Sequence, residues 1–477
     1  MSIDQQVESI LRPLASALSD VVFYKLSLFG QDIPIIVLWL MTAAVFFTGY
    51  MGLVNIRGFS HALKIVRGQR SSSEHSGEIS HFQALSTAIS GTVGVGNIGG
   101  VAVAITIGGP GAAFWLIAAG FLAMSTKFVE CTLGVKYRRI NADGSVSGGP
   151  MYYLERFLAD RNMPNAGKAL GAFYAFALVI GCFGIGNMFQ SNQAYVQFVN
   201  ITGGEQSFFY DKGWLFGLLI ALVVGVVIIG GIRSIARVAA RIVPMMAMLY
   251  LASALVIIAM SAEHLPNAIR LIVSSAFTLE SATGGMVGAM IVGFQRALFS
   301  NEAGIGSAAI AHSAVKTNEP VSEGLVSLLE PFIDTIVICT ITSLVIVTTA
   351  YPNGLMDSSL GLEGIALTSA AFEHHIGWAP IPLGIAALLF AFSTTIAWSY
   401  YGLKGWTYLF GEGAITQLVF KAIFCTFVAI GCMIQLSAVL DFSDAMVFLI
   451  AVPNIIGLYF YAPEIKRDLN TYLAKYR

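Results

Sequence analysis

The sequence predicts an all-α integral membrane protein with about eleven spans, ten of which form two inverted halves of five spans each. Three observations predict this fold class: the composition, the succession of long apolar segments, and two polar, glycine-rich interruptions that lie five spans apart. Of the 477 residues, 56% are hydrophobic and 11% are charged, against about 25% charged residues in an average soluble protein. A soluble chain of this length needs several charged domain surfaces, so the composition indicates a membrane protein.

Apolar windows of about 19 residues define the candidate spans. In chain order these are 33–56, 82–106, 112–135, 171–199, 213–231, 241–261, 284–312, 321–349, 380–409, 414–434 and 443–461. We therefore expect an N-terminal segment with one span and a loop (1–81), a first half (82–261), a second half (284–461) and a cytoplasmic tail (462–477). Residues 1–32 hold no basic stretch followed by an apolar run and a cleavage site, so we expect no cleavable signal peptide.

The distribution of lysine and arginine between the loops predicts the orientation. Nineteen of the 26 basic residues fall on one side of the predicted membrane, four on the other and three within spans. The richer side is expected in the cytoplasm, which places the N-terminus outside and the C-terminus inside. That side holds Arg57, Lys64, Arg67, Arg70, Lys136, Arg138, Arg139, Arg156, Arg161, Lys168, Arg233, Arg237, Arg241, Lys316, Lys404, Lys466, Arg467, Lys475 and Arg477.

Several classes of protein are disfavoured by charge and motif content. The formal net charge of −1 leaves no basic surface for nucleic acid. The five cysteines form no CxxC pair, which argues against zinc and disulfides. No GxSxG, HExxH or GxxxxGK[ST] motif supports a membrane enzyme or ATP-driven transport. A secondary transporter and an uncoupled facilitator or channel remain, and neither requires a protein partner.

Two spans have a polar, glycine-rich centre that does not suit a continuous lipid-facing helix. The second span contains Ser90-Gly-Thr-Val-Gly-Val-Gly-Asn-Ile-Gly-Gly100, and the seventh contains Ser300-Asn-Glu-Ala-Gly-Ile-Gly306. Each glycine costs a helix about 1 kcal/mol, and unwound backbone at membrane depth is tolerated where it lines a cavity. The alternative is close helix packing through small residues. Because the clusters occupy corresponding places and carry polar side chains, we favour two broken helices around the mid-membrane site of a secondary transporter.

Four motifs in these regions resemble those of a known family. They are Ser86-Thr-Ala-Ile-Ser-Gly-Thr-Val-Gly-Val-Gly-Asn-Ile-Gly-Gly-Val-Ala102, Gly108-Gly-Pro-Gly-Ala-Ala-Phe-Trp115, Phe299-Ser-Asn-Glu-Ala-Gly-Ile-Gly-Ser-Ala-Ala-Ile-Ala-His312 and Glu330-Pro-Phe-Ile-Asp334. The chain resembles the alanine or glycine:cation symporter family of bacteria and archaea over nearly its whole length. The resemblance implies the LeuT-like 5+5 inverted repeat, with one extra N-terminal transmembrane helix. It also implies uptake of small neutral amino acids, coupled to Na⁺ or protons, across the prokaryotic plasma (inner) membrane.

A zwitterionic amino acid needs hydrogen-bond donors for its carboxylate and acceptors for its ammonium group. The positive end of a half-helix offers free backbone N–H groups, and glycine allows close approach. We expect the carboxylate at Val95, Gly96 and Asn97. Unpaired carbonyls before each break, together with hydroxyls, can bind the ammonium group or a cation. These further candidates are Ser90, Gly91, Thr92, Val93, Phe299 and Ser300.

The ninth span carries three consecutive hydroxyl side chains, Ser393-Thr-Thr395, in an otherwise apolar helix. Taken alone, they read as hydroxyls that bond back to carbonyls of their own helix. The resemblance implies instead a site for Na⁺, as a coupling ion, between this helix and the first broken helix. Its implied ligands are carbonyls and hydroxyls of Ser90, Val93, Ala391, Thr394 and Thr395.

Large side chains are expected to set the size of the substrate pocket. Trp398 lies one turn beyond Thr394, and the register of the second break puts Phe299 and Ile305 beside the substrate. A pocket bounded by such large side chains suits a small substrate such as alanine or glycine. In the fourth span, Gln190, Asn192 and Gln193 interrupt an apolar helix, and substrate contact by Gln190 and Gln193 competes evenly with interhelical hydrogen bonding.

Ionisable residues within spans are costly and therefore functional candidates. Glu302 is the most notable, because a protonatable carboxylate in the second break could carry H⁺ or hold the unwound backbone. His312 is expected at the end of a span, with the solvated character typical of loop histidines. The stretch 351–380 is expected to form a long external loop that can act as a lid.

Overall fold

The computed structural model describes residues 3–28, 31–68, 76–278, 285–357, 360–362, 364–434 and 437–476, and these are predominantly helical. The α-helices are Ile3–Val22, Ile35–Tyr50, Val54–Arg57, Phe59–Val66, His81–Thr92, Val101–Gly108, Gly111–Lys136, Pro150–Ala159, Pro164–Phe183, Phe189–Ile201, Gly213–Ile229, Gly231–Met260, Leu265–Ser275, Gly285–Asn301, Ser307–Ser313, Pro320–Ser327, Leu329–Pro331, Thr340–Val345, Ile365–His375, Pro380–Phe410, Ala414–Gly431 and Ser437–Lys475. Four π-helical segments continue or interrupt them: Gly96–Gly100, Gly184–Met188, Phe332–Cys339 and Ile346–Ala350. Short 3-10 turns lie at Gly204–Gln206 and Ala262–His264.

Strands occur only as two small antiparallel hairpins among the described residues. Lys25–Leu28 pairs with Gln31–Pro34, and Arg139–Ile140 pairs with Val146–Ser147. Both lie outside the long apolar helices, so the predicted all-α membrane body is confirmed as mostly helical.

Seven helices of the described chain are long and apolar enough to cross a membrane, and an eighth span results when one bent pair is counted as a unit. The seven are Gly111–Lys136, Pro164–Ile201, Gly231–Met260, Pro320–Ala350, Pro380–Phe410, Ala414–Gly431 and Asp444–Lys475. The bent pair, His81–Thr92 with Gly96–Gly108, turns by 55° at its break. The protein is therefore a multi-pass membrane protein.

Four helical units position the site and are named here. The first broken helix is His81–Thr92 with Gly96–Gly108, and the second broken helix is Gly285–Asn301 with Ser307–Ser313. The bulged helix is Pro320–Ala350, and the scaffold helix is Pro380–Phe410.

The burial pattern shows which helices face lipid. Leu222, Val226 and Ile229 on one outer helix are each about two-thirds exposed, as suits apolar side chains in contact with acyl chains. By contrast, the hydroxyls Ser393, Thr394 and Thr395 are buried within the scaffold helix. Polar groups are therefore collected in the interior, where neighbouring helices can satisfy them.

Two helices extend beyond the spans expected from hydropathy. The loop expected between 231 and 241 is absent, because Gly231–Met260 is one helix whose first turns hold Arg233, Arg237 and Arg241. Residues 462–475, within the expected tail 462–477, continue the helix Ser437–Lys475 despite Pro463. Charged residues lower the hydropathy of a window without ending a helix, so hydropathy alone shortened both elements.

Candidate functional site

The first break spans Val93 to Val95 and is formed by the local glycine-rich sequence. Ser80 caps the preceding half-helix in a capping box with Gln83, and the helix ends where Val93 turns to an extended conformation with φ −74° and ψ 94°. The N–H of Gly94 donates to the side-chain oxygen of Asn97 at 2.8 Å. That asparagine thus supplies the hydrogen bond that the interrupted helix cannot, and it holds the chain open at Gly94.

The second break runs from Glu302 to Gly306, and three of its residues have a left-handed backbone conformation. Glu302, Gly304 and Gly306 have φ values of 55°, 92° and 87°. For a glutamate this conformation is unfavourable, and its carboxylate is held on both sides. Ser307 donates to one oxygen, and the indole N–H of Trp398 donates to the other at 3.1 Å.

The two breaks meet directly through side chains. The amide of Asn97 donates to Ser300 Oγ at 2.9 Å and to Asp334 Oδ1 at 2.6 Å. Ser300 and Thr335 donate to the other oxygen of Asp334 at 2.8 and 2.7 Å. Asn97 and Asp334 are completely buried, so one carboxylate on the bulged helix anchors both broken helices.

The scaffold helix packs against the first break on its hydroxyl face. Ser90 donates to the carbonyl of Ser393 at 2.6 Å, and Thr394 Oγ1 lies 3.5 Å from the carbonyl of Val93. Thr395 donates to the carbonyl of Ala391 at 2.8 Å. The predicted cation ligands therefore lie on two adjoining segments, and the Thr395 hydroxyl bonds back to its own helix as the simpler interpretation expects.

Gln190 lies beside the contact between the first break and the scaffold helix, and its side-chain oxygen has no hydrogen-bond partner within the described chain. Its amide group donates to the carbonyl of Ile185 at 3.1 Å, while its buried Oε1 accepts no hydrogen bond within the described chain. A Cβ placed on Gly94 would lie 3.0 Å from Thr394 Oγ1 and 3.4 Å from Gln190 Oε1. Gly94 therefore lets the hydroxyl of Thr394 and the amide oxygen of Gln190 approach the broken backbone.

Trp398 is the largest side chain where the scaffold helix meets the two broken helices, and it is almost fully buried. Besides Glu302, its indole nitrogen contacts the carbonyl of Gly91 at 3.3 Å. A Cβ on Gly186 would lie 2.1 Å from the indole Cγ, so only glycine fits opposite this ring. Trp398 therefore connects the first broken helix, the second broken helix and the π-helical segment Gly184–Met188.

Other residues predicted for the site occupy varied positions. Gly96 faces the ring of Phe299, which would lie 4.0 Å from an added Cβ, and Phe299 is partly exposed. Val95 is buried in the first break. The hydroxyl of Thr92 donates to Ala88 of its own helix at 3.3 Å.

Ile305 and Gln193, which were also predicted for the site, each contact a residue outside the two breaks. The backbone carbonyl of Ile305 accepts from Tyr174 at 2.7 Å. Gln193 instead lines a separate pocket with Asp211 and Trp214 and contacts Asn192 at 3.5 Å. No residue of either break lines that pocket, so the structure does not bring Gln193 together with the residues gathered there.

Sequence patterns missed three parts of the arrangement. Asp334 was named only as the last residue of the Glu330–Asp334 motif, and Gly186 carried no signal of its contact with Trp398. The loop after the bulged helix contains the helix Ile365–His375, where Thr368 donates to the carbonyl of Ile98 at 3.2 Å. His312 is completely buried, contrary to the solvated character expected of it, because the whole of the helix Ser307–Ser313 is covered by neighbouring parts of the protein.

The chain belongs to a family of cation-coupled amino acid symporters. The model of the Sodium:alanine symporter family matches residues 17–477, so the chain is a member of that family. It is therefore a transporter rather than an enzyme.

Curated relatives cover nearly the same length. The sodium/alanine symporter AgcS of Methanococcus maripaludis is 39% identical over 429 residues, which cover 89% of this chain and 91% of the relative. The Bacillus subtilis protein named "Probable sodium/glutamine symporter GlnT" is 32% identical over 470 residues, which cover 98% and 91% of the two chains. Both relatives carry sodium symporter names.

Among solved structures, a manganese transporter of Eremococcus coleocola, crystallised with an aromatic bis-isothiourea substituted compound, has a similar fold. The TM-score is 0.50 at 12% identity, and the match covers 76% of this chain and 74% of that chain. That transporter has the LeuT-like fold. The likeness therefore concerns the architecture alone.

Proposed function

We propose that the protein imports a small neutral amino acid, alanine or glycine, together with Na⁺ by alternating access. The observation that carries this proposal is the junction of two helix breaks through Asn97 and Ser300 beside the hydroxyl of Thr394. Such a junction presents helix N-termini to a carboxylate and free carbonyls to cations. The names of the sodium symporter relatives support the choice of ion and substrate class.

The substrate is proposed to lie between the two breaks. Its carboxylate would bind the backbone N–H groups of Val95 and Gly96, and also that of Asn97, which donates to the carbonyl of Gly94 at 3.2 Å in this structure, at the start of the second half-helix. Phe299 and Trp398 would bound the space for the side chain. These bulky rings suit a methyl group or a hydrogen better than a long side chain.

Na⁺ is proposed to travel as a second cargo on the scaffold-helix side of the first break. Ser90, Val93 and Ala391 would supply carbonyl oxygens, and Thr394 and Thr395 hydroxyl oxygens. Hard oxygen donors of this kind bind Na⁺ without a fixed charge in the membrane.

The membrane arrangement proposed with this function has eleven spans: one N-terminal helix followed by two inverted halves of five. The N-terminus would lie outside and the C-terminus in the cytoplasm of a prokaryotic cell. The loop helix that contacts Ile98 through Thr368 would act as an external lid. In this arrangement both broken helices cross the membrane and can open alternately to either side.

Counterflow in proteoliposomes tests this proposal. Labelled glycine, alanine, serine and glutamine are offered separately, with Na⁺ and pH gradients imposed one at a time. We expect alanine or glycine exchange to need Na⁺. Exchange of glutamine alone would replace the substrate, and exchange that follows pH without Na⁺ would replace the coupling ion.

A further inference from the structure

A buried ion cluster lies where the first broken helix begins and the second broken helix ends. It consists of His81, Lys127, His312, Glu323 and Glu330, which are all at most 5% exposed. The residues come from both broken helices, from Gly111–Lys136 and from the bulged helix. Ionised groups buried this deeply are stable only when their charges balance and their hydrogen bonds are made.

His312 lies between two carboxylates, one at each ring nitrogen. Its Nδ1 is 2.5 Å from Glu323 Oε1, and its Nε2 is 3.8 Å from Glu330 Oε2. The second distance is too long for a hydrogen bond, and neither atom of that pair has a hydrogen-bond partner in the described chain. A neutral imidazole would turn a bare nitrogen lone pair toward one of the carboxylates, whereas an imidazolium presents an N–H to each.

The charges of the cluster also favour a doubly protonated His312. The ammonium group of Lys127 pairs with Glu330 Oε1 at 2.9 Å. His81 contacts the second oxygen of Glu323 through Nδ1, which a neutral ring can do by donating its single N–H. One carboxylate charge is then left unbalanced unless one of the two histidines carries a second proton, and His312 is the ring that faces a carboxylate at each nitrogen. With that proton, two positive charges face two negative ones.

We propose that His312 is a proton-binding site that joins the two broken helices through Glu323. The carboxylate of Glu323 accepts from His81 at the start of the first broken helix and from His312 in the second. The two ends are therefore joined through Glu323, and the second ring proton of His312, on Nε2, faces Glu330. This inference rests on the proposed function in treating the broken helices as the moving parts, and it adds a proton to the ions that control them.

Within the described chain, no neighbouring positive charge balances the cluster in place of the second proton on His312. Among the described residues, the titratable groups that interact with the cluster include Glu130, Cys131, Arg138, Glu302, Asp334 and Tyr401. Arg138 is the one further cation among them, and its guanidinium donates to the backbone carbonyls of Ser313, Val315, Thr317 and Ser76. Any negative charge on Glu130 or Glu302 increases the need for a positive charge at His312.

The protonation state is measured directly by solid-state NMR of the full chain in lipid nanodiscs, with ¹⁵N-labelled histidine rings. At pH 8, which lies above the pKa of about 6.5 of an unperturbed histidine, we expect two protonated ring nitrogens for His312. The His312→Gln variant lacks this signal and so assigns it. A neutral His312 with one bare nitrogen at pH 8 would overturn the proposal.

Charge-balanced variants separate proton binding from simple hydrogen bonding. His312→Gln alone leaves one carboxylate unbalanced, and we expect Na⁺-driven alanine uptake, or the yield of folded protein, to fall about tenfold or more. Adding Glu323→Gln restores neutrality, and we expect recovery to within about threefold of the wild type. A double variant worse than the single one would mean that His312 and Glu323 serve only as hydrogen-bonding partners, and the proposal would fail.

The two experiments distinguish this inference from the proposed function. The NMR signal needs no transport, so absence of Na⁺-driven uptake in the wild type would remove the proposed function and leave the proton site intact. Conversely, Na⁺-driven uptake with a neutral His312 would retain the symporter and remove the proton site.

Discussion

Asn97 in the first broken helix donates a hydrogen bond of 2.9 Å to Ser300 in the second, across 203 residues of sequence. Both side chains also donate to the carboxylate of Asp334. Because Asn97 additionally accepts from the N–H of Gly94, the same side chain shapes its own break and fixes the other. The two breaks therefore share one hydrogen-bonded group.

Replacement of the shared carboxylate tests this coupling. Asp334→Asn puts an amide N–H₂ against donors, and we expect the free energy of unfolding to fall by about 1–3 kcal/mol. Alanine affinity should fall with it. Thermal unfolding and scintillation-proximity binding measure both effects, with Asp160→Asn on an exposed helix end as the control. Wild-type stability and affinity in Asp334→Asn would show that the carboxylate anchors neither break.

The packing of Trp398 on glycine gives a second prediction. Gly186→Ala places a Cβ 2.1 Å from the indole Cγ, so the ring must move, and we expect a loss of about 1–3 kcal/mol in stability together with weaker alanine binding. In the matched control, Gly181→Ala, the added Cβ meets Met446 at an ordinary 3.6 Å. Equal melting temperatures and affinities in the two variants would contradict the close packing.

The proposed cation site predicts a selective change in sodium dependence. Thr394→Ala removes the hydroxyl that lies 3.5 Å from the Val93 carbonyl, and we expect the Na⁺ concentration for half-maximal uptake to rise about tenfold. Thr395→Ala should raise it as well. Thr87→Ala is the control, because that hydroxyl donates to Gln83 within its own helix. Unchanged sodium dependence in both test variants would place the cation elsewhere.

The proposed carboxylate site predicts a loss of binding without a loss of folding. Gly96→Val puts a branched side chain into the space between Gly96 and Phe299, where the ligand is proposed to approach the backbone. Alanine binding should disappear while the thermal unfolding profile persists. Gly100→Ala, whose Cβ meets no atom within 4 Å, should bind normally. Tight binding by Gly96→Val would exclude this carboxylate position.

Local sequence rules anticipated both breaks but not what joins them. The glycine runs near Gly94 and Gly304 identify the breaks because glycine weakens a helix wherever it occurs. The link from Asn97 to Asp334 spans 237 residues and depends on how three helices pack. A single sequence holds no periodic signal for such a contact.

The ion cluster and the helix boundaries were similarly beyond local rules. His312 was expected to be solvated because it ends a predicted span, yet the chain around it is covered by neighbouring helices. Helix Gly231–Met260 was expected to begin ten residues later because its arginines lower the local hydropathy. In both cases tertiary burial, rather than local polarity, decides the outcome.

The most direct test of the symporter account is the response of alanine uptake to membrane potential in proteoliposomes. If one Na⁺ moves with one zwitterion, each cycle carries one positive charge, worth about 2.3 kcal/mol per 100 mV. That charge can concentrate alanine about fiftyfold at 100 mV. We predict that a potassium–valinomycin potential, negative inside, drives uphill uptake only when Na⁺ is present outside. Equilibration without accumulation, or accumulation that ignores Na⁺ and follows pH, would contradict the account.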